Sequence, residues 1–225
     1  MFYEPKKGYP FDENPFAALV FPRPIGWIST LSKNGIANLA PYSFFNAIAY
    51  EPPQVMFSAT DFHSQGGLKD SIANVLSNNE FVVNLATKKL KTQVNQTSID
   101  APHGIDEFNV FKLKKRKSRI VEPPSIAESP VNLECRLFKK IDLKTKVKNQ
   151  NIMIIGEVVG IHIDDKFIKK GRIDSLAMRA ISRMGYAEYS EIYSKFFMER
   201  LKWKIWLNVL IRFNVLHLYD LLKLI

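Results

Sequence analysis

Residues Pro22 to Ser58 read PRPIGWISTLSKNGIANLAPYSFFNAIAYEPPQVMFS, and this stretch decides how the chain is read. Ile25 to Leu31 is rich in β-formers, and Ser32-Lys33-Asn34-Gly35 is a hairpin signal ending in Asn-Gly. Ile36 to Phe45 continues as a second strand, bent where Pro41 removes a ladder donor. Glu51-Pro52-Pro53 punctuates, and Gln54 to Ala59 makes a third strand. The same stretch places Arg, Ser, Thr, Asn and Tyr where a plain barrel has no need of them.

Outward from it, the period changes. Leu68, Ile72, Val75 and Leu76 fall at helical spacing, between Gly66-Gly67 and Ser77-Asn78-Asn79. Phe81 to Leu85 reads as a short buried strand, Lys88 to Thr97 as a helix and Asp100 to Asn109 as a loop. Val131, Leu133, Cys135 and Leu137 alternate at a period of two, so Val131 to Ile141 is a half-buried strand. Ile152 to Ile163 opens on a continuous apolar run and forms another. Phe2 to Pro15, with Pro5, Gly8, Pro10 and Pro15, is an extended arm. Many short strands with a few helices define a mainly β barrel with helical decoration, in one domain.

Of the 225 residues, 46% are hydrophobic and 24% charged, which excludes general disorder. The single cysteine, Cys135, sits in an alternating strand and reads as a buried apolar residue; one thiol excludes an intrachain disulfide and fits a reducing cytoplasm. No charged segment followed by an apolar run precedes the strands, so no signal peptide is expected. The net charge of +10 is compatible with nucleic acid, anionic surfaces or phosphorylated ligands. Its densest run, KLKKRKSR at Lys112 to Arg119, holds no aromatic residue for base stacking, which favours a solvated edge over a nucleic-acid patch.

CxxC, HExxH, P-loop, GxSxG and Rossmann GxGxxG patterns are all absent. His63, His103, His162 and His217 lie far apart without ligand spacing and read as surface or packing residues, so no metal is expected. The polar set that remains has the chemistry of phosphate binding: Arg23, Ser29, Thr30, Ser58, Lys69 and Ser71 offer cations and hydroxyls. Each also has a structural role open to it. Ser29 and Thr30 can end a strand, Ser71 can lie on a helix surface, Lys69-Asp70 can be first-turn charge, and Trp27 can be core.

PRPIGWIST, NLAPYSFFN and EPPQVMFS, then LKDSIANVLSNNEFVVNLA (Leu68 to Ala86), GIDEF (Gly104 to Phe108) and SRMGYAEYS (Ser182 to Ser190), occur in this order. Together they resemble the flavin reductase-like FMN-binding split-barrel family, in the branch that includes flavoredoxin, from about Gly8 to Arg200. The resemblance implies a Greek-key split β-barrel domain over 1–200, and a homodimer binding one FMN per subunit in a groove at the dimer interface. It implies that Trp27, Ser29, Thr30, Ala40, Pro41, Tyr42, Ser43, Ser58 and Ala59 line the flavin. Lys69 and Ser71 would bind its phosphate, and Arg183, Met184 and Gly185 would approach the same or the partner's site. For the isoalloxazine ring, the backbone of Asn38 to Ser43 can supply donors and acceptors, and Trp27, Tyr42 or Phe44 a flat apolar wall.

The implied reaction is hydride transfer from NADH or NADPH to the flavin, with no catalytic side chain of the protein's own. Reduced flavin would then diffuse to a partner or pass its electrons on while bound. A non-catalytic flavin-binding electron carrier or sensor is the alternative. After Arg200 the resemblance stops, and residues 201–225 read LKWKIWLNVLIRFNVLHLYDLLKLI. This tail is expected to be helical, packed on the barrel or lying at a membrane surface, or else to be a non-native extension. Lys204, Arg212 and Asp220 disfavour a membrane span.

Overall fold

A computed structural model describes residues 1–145, 147, 150–200 and 202. After a short helix α1 (Phe16–Leu19) and a two-residue strand β1 (Arg23–Pro24), strand β2 (Gly26–Leu31) turns into β3 (Ala37–Tyr42). Gly35 takes the left-handed φ of 77° that the Asn-Gly signal calls for, and its N–H donates to the Ser32 carbonyl at 3.0 Å. The hairpin register pairs Leu31 with Ala37 and Gly26 with Tyr42.

The strand expected over Ile36 to Phe45 is two strands. β3 ends at Tyr42, and β4 (Phe45–Tyr50) starts beyond Ser43-Phe44 because the chain changes partner there. β3 pairs with β2, whereas β4 pairs with β5 (Pro53–Ala59). Pro41 lies within β3 opposite Trp27, not at the break.

Helix α2 (Asp70–Asn78) follows, then β6 (Glu80–Leu85) and a short helix α3 (Lys91–Gln96). The expected loop over Asp100 to Asn109 contains α4 (Glu107–Val110), capped by the Asp106 carboxylate, which accepts from the Asn109 N–H. The basic run forms half of a small hairpin, β7 (Lys115–Arg116) with β8 (Ser125–Ile126). Two twelve-residue strands, β9 (Val131–Asp142) and β10 (Ile152–Ile163), pair with each other. The ribbons β11 (Ile168–Lys169) with β12 (Arg172–Ile173) and β13 (Ile181–Arg183) with β14 (Tyr189–Glu191) complete the described elements.

The main sheet is antiparallel throughout, in the order β3-β2-β6-β9-β10-β5-β4. Its two edge strands are consecutive in the chain and separated only by Ser43-Phe44, so the sheet must roll until its edges face each other. Gly26 permits that closure. A Cβ there would stand 2.5 Å from Cδ2 of Phe45, a contact no real side chain tolerates.

Adjacent residues of β2 feed different cores, as the strand period requires. Ile28 faces the barrel interior with Phe57, Phe81 and Ile154, joined by Ile72 and Val75 of α2. Trp27 faces outward into a second core with Leu39, Val94, Phe108 and Ile126. Phe57, Phe81 and Phe108 are fully buried, each contributing about 1.5–3 kcal/mol. Cys135 lies in the barrel interior, and burial pushes its thiol far above the ordinary range.

By internal contacts, residues 1–193 form one compact unit and 194–225 another. The described part of the second, 194–200 and 202, carries no regular secondary structure. The helical tail expected over 201–225 lies outside the described residues apart from Lys202. Among the described residues, no helix is long and apolar enough to cross a membrane.

Gly156 occupies an irregularity in the β9–β10 register, where a Cβ would stand 2.3 Å from Cζ of the buried Phe81. Gly156→Ala is expected to cost about 1–3 kcal/mol through overpacking, read as a lower urea midpoint. An unchanged midpoint would refute this account of the core.

Candidate functional site

A cleft of about 260 Å³ opens beside the Ser43-Phe44 link, between β3 and the end of β5. Its walls are Ala40 to Phe44 on one side and Ser58 to Thr60 on the other. The start of α2, the segment Thr97 to Ala101, and Asn38 with Glu107 complete it. Of the residues expected at the site, Ala40, Pro41, Tyr42, Ser43, Ser58, Ala59, Lys69 and Ser71 line this one cleft. Phe44, one of the candidate ring walls, lines it too.

The other expected residues are placed elsewhere. The side chains of Trp27, Ser29 and Thr30 are fully buried and stand behind the wall. Trp27 Nε1 donates to Thr97 Oγ1 at 2.9 Å, and Thr30 Oγ1 accepts from Asn74 Nδ2 at 3.0 Å. Ser29 donates to the Pro124 carbonyl at 2.6 Å. Their strand is covered on both faces, which leaves these side chains no route to the cleft. Arg23, a phosphate candidate by type, is also buried; its guanidinium donates to the carbonyls of Ala17, Val20 and Met184. Arg183, Met184 and Gly185 do not line the cleft of their own chain. Arg183 lies over the Tyr189 ring, and Gly185 packs so tightly on α1 that a Cβ would meet Ala18 at 2.4 Å.

The floor is a polar network built from three elements. Glu107, at the start of α4, accepts from the Leu39 N–H at 2.9 Å and from Asn38 Nδ2 at 3.2 Å. Asn38 Oδ1 in turn accepts from Ser71 Oγ at 2.8 Å. Burial pushes the Glu107 carboxyl above its usual range. The Tyr42 phenol is pushed up to about 12, chiefly by burial and also by the negative charges of Asp70, Glu107 and Asp100, against a hydrogen bond from Ser71 that works the other way, so it keeps its proton. Lys69 immediately precedes α2 and, among the described residues, makes no direct ion pair, although its charge helps lower the Asp100 carboxyl in the same cleft. A cation at the positive end of a helix dipole is matched to an anion.

The structure unites two histidines that sequence spacing separates. His63 and His103 stack with ring centroids 3.7 Å apart, and with Asp70 they bring three possible metal-ligand atoms within 4.8 Å of one another. Every ring nitrogen already has a protein partner. His63 Nδ1 accepts from the Gln65 N–H at 3.0 Å and its Nε2 donates to the Ala101 carbonyl at 2.7 Å. His103 faces the Asp70 carboxylate with Nδ1 and the Gly66 carbonyl with Nε2, so two acceptors call for the imidazolium. The hydrogen bond to Asp70 raises its pKa accordingly. The pair thus ties the 63–67 loop to the 100–104 loop at the edge of the cleft and has no lone pair free for a metal.

His63, Asp70, Glu107 and the Thr97 to Ala101 segment are cleft residues not expected at the flavin, and of Asn38 only the backbone was. Asn38, Asp70 and Glu107 each fall inside a motif that carries the resemblance.

Comparisons with known proteins identify the family and the fold. Residues 18–177 match the model of the flavin reductase like domain, and the chain belongs to that family. An uncharacterized protein of Aquifex aeolicus is 35% identical over 178 residues, covering 79% of this chain and 88% of its own. Nitrilotriacetate monooxygenase component B from Bacillus cereus superposes with a TM-score of 0.82 at 28% identity, over 88% of this chain and 98% of that one. A putative flavin reductase with a split barrel domain from Shewanella frigidimarina, 19% identical, shares the fold with a TM-score of 0.72 over 90% and 99% of the two chains. The fold is therefore a split barrel, and the function is of the flavin reductase type.

Because its pKa is raised by a partner, His103 contributes stability below its ordinary value, and the contribution fades as pH rises through the folded value. Asp70→Asn is expected to lower the His103 titration midpoint followed by NMR. A midpoint that stays where it was would remove Asp70 as the cause.

Proposed function

We propose that this chain is an FMN-dependent oxidoreductase that takes hydride from NADH or NADPH, working as a homodimer with one FMN per subunit. The observation that carries the reading is Lys69, a cation without a direct ion pair among the described residues, at the helix start in a cleft whose other wall is aromatic and prolyl. This donor set suits a phosphorylated planar cofactor: Lys69, Ser71 and the first N–H groups of α2 at the phosphate, Pro41 to Phe44 along the ring. At about 260 Å³ the cleft is small beside ordinary cofactor sites of roughly 300–1,000 Å³, which supports a site completed by a second subunit. Arg183 to Gly185 would then serve the partner's site.

A bound flavin supplies the hydride acceptor. The chain holds its phosphate through Lys69, fixes its edge against the Ala40 to Ser43 backbone, and keeps water from one face with Tyr42 and Phe44. Positioning is the main contribution asked of the protein. The protonated Tyr42 and the hydrogen-bonded Asn38–Glu107 floor support that wall. The Bacillus cereus protein is named as a monooxygenase component, which supports delivery of reducing equivalents to a partner enzyme as the role here.

Purified protein is expected to bind FMN and lose the flavin's visible absorbance when NADH or NADPH is added without oxygen. Flavin that binds but stays oxidised with both nucleotides would favour the electron carrier instead. Protein that takes up no FMN would end both readings. Lys69→Ala should weaken FMN binding at least about tenfold, the worth of one charged hydrogen bond, and unchanged affinity would refute the phosphate assignment.

A further inference from the structure

The basic run around Arg116 has no part in the flavin reading, yet it borders a larger cavity. This second cavity, about 690 Å³, lies between the β7–β8 hairpin and the end of β10, and it shares no lining residue with the cleft. Arg116 lines this cavity, half-buried and hydrogen-bonded to neutral partners, with the negative charges of Asp164 and Glu128 acting on it from further off. The guanidinium faces Ser125 Oγ at 3.3 Å, His162 Nε2 at 2.7 Å and Asn132 Oδ1. His162 therefore accepts with Nε2, and burial together with the charges of Arg116 and Arg119 holds it below its usual pKa. Arg116, Arg119 and His162 all line the cavity, and Asp164 and Asp165 oppose the arginines' effect on the histidine.

Among the described residues, Arg116, Lys117 and Arg119 make no direct ion pair; Lys117 and Arg119 are exposed, and Arg116 is half-buried. The nearby carboxylates are committed or set apart. Buried Glu134 accepts the N–H groups of Arg119, Ile120 and Val121 at 2.9, 2.7 and 3.1 Å, which fixes the loop that presents Arg119. Asp164 is paired with Lys166, leaving Asp165 as the lining carboxylate without an ion pair. Ile120 and Ile161 line the cavity and are 46% and 60% exposed, so apolar surface adjoins the cations.

The geometry points to a second ligand site, for a nucleotide whose phosphates lie on Arg116 and Arg119 and whose base covers Ile120 and Ile161. Guanidinium groups match phosphate oxygens by their paired N–H donors. Asp165 would accept a sugar hydroxyl. The volume suits a mononucleotide, and the lining residues include no Phe, Tyr or Trp, which favours a single small ligand over a strand of stacked bases.

The test is calorimetry on the full chain with ADP, adenosine, inorganic phosphate and a short single-stranded RNA as separate probes. ADP is expected to bind once per chain and more tightly than phosphate, and adenosine not measurably. Arg119→Gln should weaken ADP at least tenfold, and Arg116→Gln likewise, with the thermal midpoint of each variant confirming that it folds. Arg119 is exposed and serves if Arg116→Gln does not fold. Lys69→Ala should leave ADP binding unchanged, which separates this site from the flavin cleft. No binding of ADP, equal binding of adenosine, indifference to Arg119→Gln, or loss in Lys69→Ala would each overturn the assignment. RNA that binds more tightly than ADP and depends on the same arginines would overturn it in favour of a nucleic-acid surface.

Discussion

Two residues, Ser43 and Phe44, join the first and last strands of a seven-stranded sheet, and much of the molecule depends on that short connection. A sheet whose edges are tied this closely cannot stay open. It curls until β3 and β4 face each other, yet the change of hydrogen-bonding partner at the link keeps them from zipping together. The split is thus a necessity of connectivity. Backbone groups at the split are less fully used by the sheet than those of the central strands, although the Ser58 N–H, donating to the Phe44 carbonyl at 2.9 Å, extends the β4–β5 ladder by one step. A ligand site built there inherits donors and acceptors that the sheet has not consumed.

The second requirement is that the split keep its shape. A buried carboxylate does this at the split, and a second one fixes a loop elsewhere by the same means. Glu107 gathers the Leu39 N–H and Asn38 from β3, and Glu134 gathers three successive N–H groups from the loop after the basic run. Each places a negative charge where backbone donors would otherwise be unpaired, so removing either side chain would strand several polar groups at once. The cost of burying a carboxylate is offset by the number of bonds it accepts, and the return is a loop fixed against a strand.

How much of this was legible in the sequence depended on range. The hairpin at Asn34-Gly35, the helix after Gly66-Gly67 and the long strands β9 and β10 follow from local pattern and turn chemistry, which act over a few residues. The division of Ile36 to Phe45 into two strands was hidden, because it records a change of partner across the sheet. Trp27, Ser29 and Thr30 sit in the right motif but face the cores, since a strand covered on both sides looks the same in sequence as one with an exposed face. His63 and His103 were out of reach for the same reason: their stacking comes from two loops that the chain brings together from forty residues apart. Lys69 and Ser71 could be found because a helix start can be read locally and imposes its own chemistry.

The burial of Cys135 has a practical side. It is the sole cysteine, sits at 0% exposure in the barrel interior, and is held as the thiol. A thiol in that state neither attacks disulfides nor reacts readily with peroxide. The polypeptide therefore holds no two-electron reservoir of its own, and the electrons taken up in a reductive titration can be assigned to what is bound, without blocking groups or a correction for protein sulfur.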